Sequence, residues 1–334
     1  MAHRHPPGAG EEQPRQEGVI WRSGTATGIG SLPGEDPVEA ARLVLGELPV
    51  PHLPELPARG AHADLAGRGA ALLEDLFVDV QPSGWRLVPR PSRDGRRAKD
   101  LLARDLDALE EVAHAAPPEV LKVQATGPWT LAALLELPRG DRVLSDHGAV
   151  ADLTGSLAEG LRVHLADLRR RLPGTRLVLQ LDEPSLPAVL AARIPTASGF
   201  RTLRAPDPQT ARDHLRTVLA AAEDTVVHCC AADPPLALMA EASAVSLDVT
   251  LPYDEEALGT AAEAGTGVLA GVVPSVDGRL PGVPEVLETV GRLRDRTGVT
   301  DLALTPTCGL AGATPGYARQ VMKRLAETAQ EVER

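Results

Sequence analysis

The stretch "TVVHCCAADPP", residues 225–235, sets a short β-branched run against a histidine, two cysteines and a turn closed by two prolines. Such a run reads as a buried strand, and here the chemistry-bearing residues stand at its C-terminal end. Seven further runs have the same character: "TATGIGS" (25–31), "LFVDV" (76–80), "VLKVQAT" (120–126), "RLVLQLD" (176–182), "AVSLDV" (244–249), "GVLAGVV" (267–273) and "DLALTP" (301–306). Between them lie segments with apolar residues at helical spacing, among them 37–48, 99–115, 209–222, 254–263 and 284–293. Strand then helix, repeated, implies a parallel sheet, and eight such units imply an α/β fold of the closed (β/α)8, or TIM, barrel type.

In a barrel of this kind the loops after the strands carry the chemistry. The unusual residues of the chain fall there. Ser31 follows the first run, Thr126 and Gly127 the third, Asp182 and Glu183 the fourth, His228 to Cys230 the fifth, Asp248 the sixth and Cys308 the eighth.

Composition narrows the partners. The chain has 334 residues, 46 acidic against 34 basic, and a formal charge of −12, so it lacks the basic stripe of a nucleic-acid binder. Three cysteines cannot form a paired disulfide framework, and no apolar run is long enough to span a bilayer, so a cytoplasmic protein with no membrane or nucleic-acid partner is expected. Aromatic residues are 2% of the chain, which leaves an aliphatic core. Residues 1–20 are rich in Pro, Gly and Glu and read as a disordered tail, leaving 21–334 as a single barrel. The charged run "RPSRDGRRAKD" (90–100) reads as a solvated loop.

Side chains alternate along a strand, so His228 and Cys230 share one side and Cys229 faces the other. Cys308 follows the last run, which closes the barrel beside the first, and can lean toward the same axial point. Zinc takes sulfur and imidazole nitrogen, and catalytic zinc sites keep three protein ligands and an exchangeable position. Asp248 is a candidate fourth donor. Free cysteine is also among the most buried residue types, so from spacing alone a zinc site and core thiols both stand. For Cys229 the core reading is the expected one.

The order of "ATGIGSLPG" (26–34), "TGPWTLA" (126–132), "LQLDEPSL" (179–186), "VVHCC" (226–230), "VSLD" (245–248) and "LTPTCGL" (304–310) resembles the C-terminal catalytic barrel of cobalamin-independent methionine synthases. That family shares its barrel architecture with uroporphyrinogen decarboxylases and zinc-dependent corrinoid methyltransferases. The resemblance implies Zn2+ held by His228, Cys230 and Cys308, with Asp248 where the family has a glutamate. It implies that Ile29 and Ser31 meet the backbone end of homocysteine, that Asp182 receives its ammonium group and acts in catalysis, and that Glu55 in "LPELPARG" is a second carboxylate for that ammonium. Read without the resemblance, Asp182 and Glu183 are an acidic pair capping the helix that follows.

The function this implies is methyl transfer to the thiol of homocysteine, forming methionine. A methyltransferase for another small thiol and a non-catalytic barrel binding homocysteine or methionine are the alternatives. Three departures bear on the donor. The chain has length for one barrel where the full-length enzymes have two; Leu134 stands where the family's folate-stacking tryptophan belongs; and the loop "GVVPSVDGRLPG" (271–282) lacks the family's histidine acid. Trp129 reads as core. A methyl on a tetrahydrofolate nitrogen needs a proton to leave and a methyl on cobalt does not, so a methyl-corrinoid or a corrinoid protein is the expected donor, with Tyr253, Asp277 or water as substitute acids otherwise.

Overall fold

The computed structural model describes residues 23–332. The proposed tail at 1–20 lies outside them. Strands β1 (Phe77–Gln81) and β2 (Gly84–Val88) form an antiparallel hairpin of their own. The other six, β3 (Val120–Thr126), β4 (Arg176–Asp182), β5 (Asp224–Cys229), β6 (Ala244–Asp248), β7 (Gly267–Val273) and β8 (Ala303–Pro306), form a curled parallel sheet in sequence order. Two extended segments bridge its edges. Thr27 N donates to Leu304 O at 3.0 Å on one side, Leu53 N to Lys122 O at 2.9 Å on the other, and the segments join through Leu32 N to Glu55 O at 2.8 Å. With residues 25–31 and 50–55 as staves, the sheet closes into a (β/α)8 barrel.

The second stave is therefore not the expected 76–80. That run is amphipathic: Val78 is buried, Phe77 exposed and Asp79 half-buried, as suits a two-stranded ribbon lying on a helix. The staves β3 to β8 are buried on nearly every residue, which is the mark of a parallel sheet covered on both faces. The true second stave escapes that pattern because Pro51 and Pro54 have no N–H to give and limit it to isolated bridges. It also lies close to its neighbours: a Cβ on Gly28 would sit 2.3 Å from the His52 ring.

The helices are α1 (Pro37–Glu47), α2 (Leu65–Ala71), α3 (Arg93–Ala113), α4 (Pro128–Leu134), α5 (His147–Arg171), α6 (Leu186–Leu190), α7 (Pro208–Leu219), α8 (Leu236–Met239), α9 (Glu255–Glu263), α10 (Val283–Thr297) and α11 (Pro315–Val332). The charged run expected as a loop is mostly the first turns of α3. Ser92 caps it by accepting from Gly95 N at 2.8 Å, and its charges are the solvent face of a helix whose other face buries Ala98, Leu101 and Leu102. Among the described residues no helix is long and apolar enough to cross a membrane.

Strand alternation sorts the sheet. Outward residues such as Leu179, Val227, Cys229 and Leu247 join the core beneath the helices. Inward, Val178, Val226, Ala244, Leu269 and Ala303 form a separate apolar floor near the N-terminal ends of the strands. Above that floor the interior turns polar, and there the site begins.

Candidate active site

His228 and Cys230 leave β5 on the inward side, and Cys229 points out and is fully buried. Burial raises the Cys229 thiol to about 11, so it stays protonated and inert. Cys308 follows β8 by two residues, and its loop is tied to the first stave where Leu310 N donates to Ser31 O at 2.8 Å. One ligand atom from each of His228, Cys230 and Cys308 lies within 4.8 Å of the other two. The Cys308 and Cys230 sulfurs are hydrogen-bonded to each other at 2.9 Å, which drives Cys308 down to about 4 and Cys230 up.

The donor set fits a zinc ion on a further observation. His228 Nδ1 is hydrogen-bonded to Ser246 Oγ at 3.0 Å, while His228 Nε2 is buried with no partner. A buried ring nitrogen left bare beside two thiols is a ligand atom in waiting, oriented by the bond its other nitrogen makes. Asp248 does not join them. It ends β6, half-buried, and its Oδ1 accepts from Thr250 N at 2.8 Å and Thr250 Oγ1 at 2.6 Å, so a local Asx turn takes the oxygen expected on the metal. The shorter aspartate side chain keeps to its own turn.

A pocket of about 220 Å³ opens beside the thiols, lined by Ile29, Ser31, Glu55, Asp182, His228, Cys230 and Cys308 among others. Its volume is below the roughly 300–1,000 Å³ of drug-sized sites and suits a small metabolite. Every expected site residue except Asp248 meets there.

The acidic pair divides. Glu183 turns away and accepts from Trp129 N at 2.9 Å, Thr130 N at 2.7 Å and Thr130 Oγ1 at 2.6 Å, capping α4, the helix after β3 and not the one that follows the pair. Its burial is complete and raises it to about 7. Gly127 is required there, since a Cβ would lie 2.3 Å from Glu183 Oε1. Asp182 faces the pocket, accepts from Gln180 Nε2 at 2.7 Å, and is likewise raised to about 7 by burial. Glu55 reaches the same wall with its charge matched: Arg68 Nε donates to Glu55 Oε1 at 3.0 Å, and Arg68 goes on to Asp105 at 2.7 Å.

Two residues were missed in the sequence. Lys122 and Gln180 lie under the pocket, bonded to each other and to Ile29 O. A lysine in a β-rich run reads as a surface residue; the signal was the inward set Lys122, Gln124, Thr126 on one strand and Gln180, Asp182 on the next. Trp129 is core as expected, its Nε1 donating to Ala211 O at 3.0 Å. Neither Tyr253 nor Asp277 lines the pocket, and Asp277 is held by Thr314 N and Oγ1, both at 2.7 Å.

Residues 24–331 match the family model described as the cobalamin-independent synthase catalytic domain. A comparison with curated proteins finds no match. Among solved structures, the fold is similar to a B12-independent methionine synthase from Shewanella sp. W3-18-1 in complex with selenomethionine, at 13% identity and a TM-score of 0.62 over 93% of this chain and 98% of that one. It is similar too to a methyltransferase from Methanosarcina mazei, at 17% identity and a TM-score of 0.59 over 95% and 96%. At these identities the structures speak for the fold, and the family match carries the rest. The family's cobalamin independence opposes the corrinoid donor inferred from Leu134 and the histidine-free loop; both features concern the donor side alone and leave the thiol side of the site intact. With its strand-end thiols, its pocket and a match running almost from end to end, this chain belongs to the cobalamin-independent synthase catalytic-domain family of methyltransferases.

Proposed function

We propose that the protein is a zinc-dependent methyltransferase that moves a methyl group onto the sulfur of homocysteine and releases methionine. The observation that carries this reading is the pocket's lining: two thiols and a bare imidazole nitrogen share a space of about 220 Å³ with the Asp182 and Glu55 carboxylates. A ligand matching both kinds of group has a thiol and an ammonium group a few atoms apart.

His228 through Nε2, Cys230 and Cys308 would hold zinc, three protein ligands leaving a position for an exchangeable group. Zinc bound there supplies the positive charge that keeps a thiol deprotonated at neutral pH. Asp182 takes the substrate ammonium: a carboxylate whose charge is disfavoured by burial regains it when a cation arrives. Glu55, already paired with Arg68, adds a weaker pull from the same wall. Ile29 and Ser31 border the carboxylate end, with Ser31 Oγ packed close against Gly309. The sulfur lone pair then forms the bond to the methyl carbon as the methyl–donor bond breaks, the pair of that bond leaving with the donor. In-line approach is what the fixed ends of the substrate secure.

The test is methionine formation by zinc-loaded protein from homocysteine, scored by mass, with methyltetrahydrofolates and methylcobalamin offered separately as donors. We expect zinc- and homocysteine-dependent methionine without added corrinoid. Methylation of 2-mercaptoethanol as efficient as that of homocysteine would move the function to a general small-thiol methyltransferase. Zinc-loaded protein that binds homocysteine yet yields no methionine with any donor would leave a binding barrel.

A further inference from the structure

Lys122 is fully buried in the middle of β3, where lysine occurs almost never unless it is paired, and it does not line the pocket. Its Nζ donates to Ile29 O and to Gln180 Oε1, both at 2.7 Å. Gln180 spends its other end in the same direction: Nε2 donates to Ile29 O at 2.9 Å and to Asp182 Oδ1 at 2.7 Å. Because Nζ donates to it, the Gln180 amide must present its oxygen downward and its NH2 upward. Both amide hydrogens are then used, one on each part of the pocket wall. Burial draws Lys122 down, the Asp182 and Glu55 carboxylates push the other way, and the balance is about 7.

We propose that Lys122 is a positioning residue for the amino acid end of the thiol substrate, acting through Gln180 and the Ile29 carbonyl to aim the free oxygen of Asp182 at the substrate ammonium. The inference rests on the homocysteine reading above and adds a residue that never touches the substrate. With Oδ1 engaged by Gln180, only Oδ2 of Asp182 is left to the pocket, and as a carboxylate oxygen it favours a donor. Without the lysine, Gln180 is free to turn over, and an amide oxygen would face a carboxylate.

The rival is that Lys122 merely fills the barrel, in which case methionine of similar length does as well. Lys122→Met, and Lys122→Gln as a shorter polar version at the same place, separate the two. We expect zinc content unchanged, kcat near wild type, KM for homocysteine raised ~10- to 100-fold as for a lost charged hydrogen bond, and use of 2-mercaptoethanol hardly altered. A loss equal for both thiols, or no loss for either, overturns the proposal. A crystal structure of the variant decides it independently of which thiol the enzyme takes: displacement of Asp182 and the Ile29 carbonyl supports it, and both groups in their original places overturn it. If Lys122→Met fails to fold, the thiol selectivity of Lys122→Gln separates the two readings in the same way.

Discussion

The inward face of the sheet changes character within two residues. Val120, Val178, Val226, Ala244, Leu269 and Ala303 make the apolar floor, and two positions further along the same strands stand Lys122, Gln180, His228, Ser246, Gly271 and Thr305. Both levels are buried, yet one holds the barrel together and the other works against it. A buried Val or Leu gains about 1.5–3 kcal/mol, while a buried polar group costs about that much unless every hydrogen bond is made. His52, His228 Nε2, Gln124 Oε1 and Thr305 Oγ1 have no partner in the upper level, and among the described residues no polar side-chain atom is left bare in the floor. The upper level is therefore kept for recognition and chemistry, and the floor must stabilise it.

The comparison breaks most visibly at the metal. Cys308→Ser should lower zinc from about one per chain to near zero by metal analysis and abolish methyl transfer, because three deprotonated ligands make the tight site and a hydroxyl does not replace a thiolate. Cys229→Ser, one strand face away, should keep its zinc. Equal metal content in wild type and Cys308→Ser would remove the site from the upper level altogether.

A floor substitution should show the opposite profile. Leu269→Ala is expected to lower the free energy of unfolding by about 2–5 kcal/mol in a denaturant titration, the range for truncating a packed core leucine. Zinc stoichiometry and the preference for homocysteine over 2-mercaptoethanol should stay as in wild type well below the melting temperature. Loss of zinc with unchanged stability would mean that the two levels are not separable.

How much of this was legible follows from the same division. Strands β3 to β8 were readable because a parallel sheet covered on both faces writes itself as near-continuous Val, Leu and Ala, with only the inward polar residues interrupting. The second stave was not, because "VPHLPELP" carries prolines that deny it a ladder, and the amphipathic "LFVDV" stood in its place with a partner, "GWRLV", that local periodicity does not reveal. At the site, alternation separated His228 and Cys230 from Cys229, the closing strand offered Cys308, and the resemblance gave Asp182 its role. Asp248 stands apart from the thiols because Thr250, two residues on, competes for its Oδ1, which a matched sequence position does not reveal. Lys122 and Gln180 were overlooked because charge in a strand suggests water, and here the inside of the barrel is the polar side.

Within the upper level the Asp182 carboxylate comes next in size. Asp182→Asn should weaken homocysteine by about 1–3 kcal/mol, measured as the ratio of KM values or by calorimetry, and leave a thiol without an ammonium group almost untouched. The amide keeps the shape of the wall and removes the charge. If both thiols weaken alike, Asp182 belongs with the supporting framework and the acceptor is not identified by its amine.

The smallest effect should come from Ser246, whose hydroxyl bonds His228 at the ring nitrogen that the metal would not use. For Nε2 to offer its lone pair, Nδ1 must hold the proton, and the Ser246 hydroxyl at 3.0 Å is the acceptor that favours this tautomer and fixes the ring plane. Ser246→Ala removes one oxygen from a buried position and leaves Nδ1–H without a partner, so zinc should still bind, about tenfold more weakly in competition with a chelator of known affinity. Cys230 and Cys308 are unaltered, and kcat at saturating zinc should change little. The floor gives the control: Val226→Ala, one step below His228 on β5, removes more buried surface yet should leave zinc affinity unchanged while costing stability. A Ser246→Ala protein with wild-type zinc affinity would show that the imidazole is held by packing alone, and that the upper level depends on its neighbours less than its hydrogen bonds suggest.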